Sequence, residues 1–242
     1  MKPLNKAGFT IIETMLFLGI TGLLVMGILI GTGNSINIQR YRDSVVSLQS
    51  VLQQQYSEVA NVTNDNLDNS TCGVLPRGQS DCVIMGQLIT SSDGKSLLFR
   101  QIIGHIPTDQ LETTDIKLIN QYKIDVVPGS GISYGIDWGS TLAQQTSNAN
   151  QSLKFSILVL RSPLSGVIRT FIDNSNSVAE SDAVDTIKSE VQALVNLPLP
   201  SKVKMCVNSN GLFNGNRMAV LVTSNATSAS GVETLGDASS EC

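Results

Sequence analysis

Residues 9–30 read FTIIETMLFLGITGLLVMGILI, and this stretch decides how the rest of the chain is organised. It contains one charged residue, Glu13, and no charge follows up to Gln39. As a helix, these 22 residues would be about 33 Å long, enough to cross the hydrocarbon core of a bilayer. Lys2 and Lys6 precede the stretch and its far flank is uncharged, so we expect the N-terminus in the cytoplasm and the remainder outside.

Two ordinary interpretations of this N-terminus stay open. A secretory signal peptide would need a shorter apolar region and a small-residue cleavage site, for which Gly31-Thr32-Gly33 is a mediocre candidate. A plain membrane anchor explains the length of the stretch. It gives no reason for Glu13, because a carboxylate inside hydrocarbon costs roughly 3 kcal/mol. A third interpretation has to explain that carboxylate.

The segment from Lys6 to Glu13, KAGFTIIE, resembles the processing motif of type IV pilins and of the pseudopilins of type II secretion and competence systems. In that family a short basic leader ends in Gly, a prepilin peptidase cuts between Gly and Phe, the new amine is methylated, and the fifth mature residue is Glu. The resemblance therefore implies cleavage after Gly8, N-methylation of Phe9 and an assembly role for Glu13. It covers residues 1–60 and says less about the remainder.

The resemblance also implies how Glu13 acts and what the chain contacts. A buried carboxylate needs a cationic partner, and in a filament of staggered parallel helices the amine of Phe9 in an incoming subunit can meet Glu13 of its neighbour. A wrong stagger leaves the charge unpaired, so the pair fixes the register. The implied partners are the prepilin peptidase, other pilin or pseudopilin subunits, and the cytoplasmic membrane before assembly.

Gly27 and Gly31 form a small-xxx-small pair in the same stretch, which lets two helices approach closely. The ordinary alternative is that glycine is common in membrane helices. Many relatives carry a proline here, but this chain has no proline between Pro3 and Pro76. Any local unwinding would therefore depend on the glycines.

After Gln39 the apolar positions become periodic. They are spaced 4, 3, 4, 4 and 3 residues apart, as on one face of an amphipathic helix: Tyr41, Val45, Leu48, Leu52, Tyr56 and Val59. We expect this helix to continue the membrane segment and to end near 61–64. The expected organisation is a cleaved leader (1–8), a transmembrane assembly half (9–33), an amphipathic half (34–62) and an extracellular head (63–242).

The head sequence predicts an α+β fold of mainly antiparallel sheet, packed on the long helix. Expected strands lie in 83–89, 96–103, 116–127, 153–160, 166–172, 203–207 and 218–223. One further helix should begin with Ser181 as its cap and end at 197–200. The segment 129–135 is predicted to be a turn and 137–152 a long loop.

Four cysteines are predicted to lie on the oxidising side of the membrane, so two disulfides are expected. Of three connectivities we favour Cys72 with Cys82 and Cys206 with Cys242, because each closes a loop within one region. The second pair resembles the C-terminal disulfide loop of many pilins. Free thiols or a metal site are the alternatives, although the cysteine spacing and a single histidine fit zinc poorly.

Composition excludes several functions. The chain has 15% charged residues and a net charge of -4, which makes nucleic acid an unlikely partner. The only histidine, His105, excludes multi-histidine metal sites and is expected to be a loop or edge residue. No phosphate-binding loop or catalytic constellation is evident. We therefore expect no enzyme, no cofactor and no metal.

The sequence thus favours a structural subunit. The expected function is a minor pilin or pseudopilin, with 203–237 resembling the C-terminal strand pair of the GspH and minor-pilin kind. The subunit would be a single-pass cytoplasmic membrane protein with its head outside, and part of an extracellular or periplasmic filament after assembly. The alternative is a membrane-anchored extracellular adhesion or binding module that forms no filament.

Overall fold

The computed structural model describes residues 10–61, 82–105, 123–127, 129–144, 152–162, 165–175, 177–179, 181–196, 202–211, 217–236 and 242. The fold is α+β, as predicted, with one long N-terminal helix and antiparallel sheets. Helix α1 is Ile11–Ala60 and helix α2 is Val184–Asn196. The chain divides into two compact units, residues 1–40 and residues 41–242.

The strands of the described residues form two sheets. Their bounds are β1 Cys82–Ser91, β2 Ser96–His105, β3 Lys123–Val126, β4 Ile132–Gly135, β5 Thr141–Ala143, β6 Phe155–Arg161, β7 Ile168–Asp173, β8 Lys202–Asn208, β9 Ala219–Thr223 and β10 Val232–Leu235. Sheet 1 has the order β3-β2-β1-β6-β7, and β4 pairs with β2 beside β3. Sheet 2 has the order β10-β9-β8-β5.

The second half of α1 forms the centre of the larger unit. All six apolar positions predicted from the period of this helix are buried, from Tyr41 to Val59. The helix ends at Ala60, where polar residues replace the apolar period, and Arg161 Nη1 donates to the Ala60 carbonyl at 2.8 Å. An arginine at this point satisfies one of the carbonyls that a helix end leaves without an intrahelical partner.

Two cores cover the opposite faces of sheet 1. One core joins the α1 positions to the inner faces of both sheets, including Phe155, Ile157, Val159, Val203, Met205 and Val220. The other joins the outer face of sheet 1 to α2, including Leu88, Ile102, Leu158, Leu160, Phe171, Ile187, Val191 and Leu194. Strand β6 is therefore apolar on both faces, which explains its unbroken run of buried residues.

Polar side chains of α1 bond to the sheets at fixed points. Tyr56 Oη lies 2.9 Å from Thr170 Oγ1 on β7, and Thr170 donates in turn to the Ala226 carbonyl. Gln49 and Gln53 both donate to the Val232 carbonyl on β10, at 3.3 and 3.1 Å. These two bonds attach the helix to β10, which lies at the edge of sheet 2.

Several expectations for the head were wrong in detail. The predicted turn at 129–135 contains strand β4, and the predicted loop at 137–152 contains a 3₁₀ turn and strand β5. Strand β4 has four residues and β5 has three, which is too short for an alternating pattern to show in the sequence. They form because β4 pairs with β2 and β5 pairs with β8. Strand β10 was not predicted, for the same reason.

Two other boundaries also differ from the prediction. Helix α2 begins at Val184, three residues after Ser181, and the Ala183 carbonyl accepts its first bonds from Thr186 and Ile187. Ser181 is therefore not at the cap position. Of the predicted strand 116–127, residues 123–126 form β3 and residues 116–122 lie outside the described residues.

Gly86 provides a test of the packing between β1 and β6. A Cβ added there would lie 2.0 Å from the Val159 carbonyl oxygen and 2.8 Å from Leu160 Cδ2. We expect Gly86→Ala to lower the free energy of unfolding by about 3 kcal/mol, because backbone has to move to make room. Urea unfolding of the full chain in detergent measures this change.

The matched control is Gly135→Ala on β4, where an added Cβ meets nothing within 4 Å. That variant should unfold within about 0.5 kcal/mol of the parent. If Gly86→Ala unfolds like the control, the close approach of β1 to β6 is wrong.

Glu190 on α2 provides a pH-dependent test. Burial raises the pKa of this half-buried carboxyl, the negative charge of Asp173 raises it further, and a hydrogen bond from Ser156 partly offsets both. A raised pKa in the folded state means that stability is lost as the pH rises through that pKa. Glu190→Gln should therefore be more stable than the parent at about pH 8 and no more stable at about pH 3.5.

Denaturant unfolding at the two pH values measures this difference, with Glu233→Gln on the exposed face of β10 as the control. The control should show no gain at high pH. A Glu190→Gln gain of equal size at both pH values would contradict the assigned cause.

Candidate functional site

The first unit carries the residues to which the sequence assigns a function. Within it, α1 exposes apolar side chains on all sides, with Ile11 and Ile12 78% exposed and Leu29 65% exposed. No other helix in the described part of the chain is long and apolar enough to span a membrane. By length and composition, this helix fits a single membrane-spanning anchor.

Glu13 lies in the first turn of α1 and has a local role that the sequence analysis missed. The Glu13 amide donates to Thr10 Oγ1 at 3.3 Å, and Thr10 directly precedes the first helical residue. Thr10-Ile11-Ile12-Glu13 therefore has the Thr-x-x-Glu pattern of a capping box. A carboxylate here also favours the positive end of the helix dipole. Thr10 thus caps the start of the helix through its hydroxyl, and Glu13 contributes its amide to that bond and its charge to the first turn.

Three threonines further along the helix have their hydroxyl groups satisfied within it. Thr14 donates to the Ile11 carbonyl at 2.9 Å, Thr21 to the Phe17 carbonyl at 2.8 Å, and Thr32 to the Ile28 carbonyl at 3.0 Å. Each bond removes a donor that would be costly to expose to hydrocarbon. The polar residues in this span are therefore compatible with lipid, with Glu13 as the exception.

Among the residues that the structure describes, none comes close enough to Gly27 or Gly31 to require glycine there. A Cβ at either position would meet nothing within 4 Å. Each glycine nevertheless costs about 1 kcal/mol of helix stability relative to alanine. The reason for the pair therefore lies outside the chain's own packing, in a neighbouring helix or in the general use of glycine by membrane helices.

Helix geometry places Glu13 and the glycine pair on one side of α1. At about 100° per residue, Gly31 has the same direction as Glu13 and Gly27 is about 40° away. The rise of about 1.5 Å per residue puts them about 21 and 27 Å further along the axis. A helix lying against the glycine pair would therefore run towards the Glu13 carboxylate.

The processing residues Gly8 and Phe9 lie outside the described residues. The same holds for Cys72, so the expected pair of Cys72 with Cys82 also falls outside them. The structure does join the other two cysteines, with Cys206 Sγ and Cys242 Sγ 2.01 Å apart. Cys206 is fully buried on β8.

An open cleft of about 400 Å³ lies between β2, the segment before β4 and the start of α2. Arg100 and Asp182 are its charged lining residues, and both bond to Ala179. Arg100 Nη2 donates to the Ala179 carbonyl at 3.2 Å, and Asp182 Oδ2 accepts from the Ala179 amide at 2.7 Å. In these bonds the two side chains hold the loop before α2.

Metal-ligating side chains are dispersed across the part of the chain that the structure describes. No three His, Cys, Asp or Glu residues within it lie close enough together to hold a metal ion. His105 ends β2, and its side chain lies outside the described part.

No protein-family model, curated protein or solved structure matches this chain. Its function therefore has to follow from the residues themselves.

Proposed function

We propose that this chain is a minor pilin or pseudopilin, a membrane-inserted subunit that a prepilin peptidase cuts after Gly8. The new N-terminus at Phe9 is then N-methylated, and the subunit enters a type IV pilus-like filament through the first half of α1. The observation that carries the proposal is Glu13, the one carboxylate in the exposed apolar first half of α1 and the fifth residue after a Gly-Phe junction.

The free-energy cost of placing the Glu13 carboxylate in hydrocarbon favours an assembly role over simple membrane anchoring. An anchor gains nothing from a group that costs roughly 3 kcal/mol in hydrocarbon. A capping residue explains a side-chain acceptor at this position, but Gln serves that purpose as well as Glu. The negative charge itself is explained by a cationic partner, and leader removal creates one at Phe9 of a neighbouring subunit.

Glu13, Gly27 and Gly31 lie on the same side of α1, and this placement supports the same proposal. A neighbouring helix that packs closely at the glycines can bring its N-terminal amine to Glu13 only at one stagger. Any other stagger leaves a charge without a partner in an apolar surrounding, which costs about 3 kcal/mol or more. The pair thus selects the register of the filament.

The N-terminus of the native protein gives the first test. Mass spectrometry of the chain purified from its host membranes should show a peptide beginning at Phe9 and heavier by one methyl group. The lysine-bearing leader would otherwise keep the amine from Glu13. A chain that begins at Met1, or one cut after Gly33, would overturn the proposal and favour an anchored adhesion module or a secreted protein respectively.

Glu13→Gln gives the second test, because glutamine keeps the capping box and removes the charge. We expect normal amounts of the variant in the membrane and at least a tenfold loss from sheared filaments, since the amine loses its partner. Immunoblots of the two fractions measure this ratio.

The matched control is Glu58→Gln, on the same helix but in the larger unit, where Glu58 accepts a hydrogen bond from Gln54. It should enter filaments at the parental level. Parental incorporation of Glu13→Gln would show that capping alone explains Glu13.

A further inference from the structure

Tyr41 occupies an unusual place at the end of the β8–β9 ladder. In a hydrogen-bonded antiparallel pair, the two residues exchange two backbone bonds. Val207 and Met218 make the first directly, from the Val207 amide to the Met218 carbonyl at 2.9 Å. The second passes through Tyr41, whose Oη accepts from the Met218 amide at 2.7 Å and donates to the Val207 carbonyl at 2.8 Å.

The Tyr41 hydroxyl therefore completes the ladder and attaches α1 to both strands at once. Tyr41 is 1% exposed, so water cannot replace it without opening the core. Removing the hydroxyl would leave a buried donor and a buried acceptor without partners. This bridge depends on the spacing between Val207 and Met218, because a single oxygen has to reach both.

Residue 242 holds the same pair of strands from the opposite face of sheet 2. The disulfide links it to Cys206, the residue before Val207. Arg217, the residue before Met218, donates Nη1 to the Cys242 carbonyl at 3.4 Å. Strand β8 and the segment that leads into β9 thus each have one residue bonded to Tyr41 and the preceding residue bonded to Cys242.

We propose that the Cys206–Cys242 disulfide is a redox-sensitive switch that controls the attachment of α1 to sheet 2 through the Tyr41 bridge. While the disulfide is intact, residue 242 keeps β8 and the start of β9 at the spacing that the hydroxyl spans. When a dithiol reductant reduces it, the S–S bond breaks, two thiols form, and the reductant becomes a disulfide. The end of the ladder at Val207 and Met218 then widens and the bridge opens, while the remaining pairs of β8 and β9 stay bonded. This proposal concerns residues 41–242 only and stands whether or not the filament role holds.

Hydrogen exchange of the full chain in detergent tests the coupling. Replacing both cysteines, Cys206→Ala with Cys242→Ala, should raise exchange of the Met218 amide and of amides 41–48 by about fivefold, as loss of one hydrogen bond would. Amides of β1 and β2, which belong to sheet 1 and not to the bridged sheet, should change by less than about twofold. Reduction of the parent by dithiothreitol should reproduce the local pattern.

The decisive comparison repeats the cysteine replacement in two tyrosine variants. In Tyr41→Phe the bridge is already absent, so replacing the cysteines should raise the exchange of amides 41–48 by less than about twofold further. In Tyr56→Phe, which removes a buried hydroxyl bond about 22 Å along the same helix, the full fivefold effect should remain.

Three results would overturn the switch. One is an unchanged exchange of amides 41–48 after cysteine replacement. Another is a full fivefold effect in the Tyr41→Phe background, which would mean that disulfide and bridge act independently. The third is an equal rise at β1 and β2, which would mean that the disulfide stabilises the whole unit without acting through Tyr41.

Discussion

Burial of one face of α1, from Tyr41 to Val59, is the constraint on which the larger unit depends. Sheet 1 and sheet 2 both turn apolar faces towards this helix, and the six helix positions lie in one core with residues of both. The larger unit is therefore organised around the second half of α1, and the two sheets share this helix as their common core element.

Before Tyr41, the same helix exposes its apolar side chains instead of burying them. Apolar side chains there are exposed on every side, glycines meet no neighbour, and threonine hydroxyls bond back to the helix. A helix that is apolar all round has to be surrounded by something apolar, either lipid or other helices. The two halves of the helix thus have different surroundings. The sequence changes accordingly, from apolar side chains on all sides to an apolar stripe on one face.

That change of pattern explains why the helix was predictable from sequence and the short strands were not. Period and length determined α1 and the buried positions of its second half, because a long amphipathic helix carries its own signal. Strands β4, β5 and β10 have three or four residues, and their pairing with β2, β8 and β9 determines them. The bond between Thr10 and the Glu13 amide follows the Thr-x-x-Glu pattern of the sequence, so it too was predictable from neighbouring residues alone.

The low charge of the chain has a structural use at the boundary between α1 and the sheets. Neutral side chains make several of the polar contacts there, as in Ser44 with Ser140, Ser47 with Tyr134 and Gln53 with Val232. Near the end of the helix, Glu58 and Arg161 add contacts of charged side chains. Neutral groups lose far less solvation energy on burial than ions do, yet their hydrogen bonds are directional and fix the helix along its axis. A charged pair at these positions would have to recover a larger desolvation cost. In residues 14–39 no second charge accompanies Glu13, whereas the buried Arg100 of the larger unit is bonded to the Ala179 carbonyl.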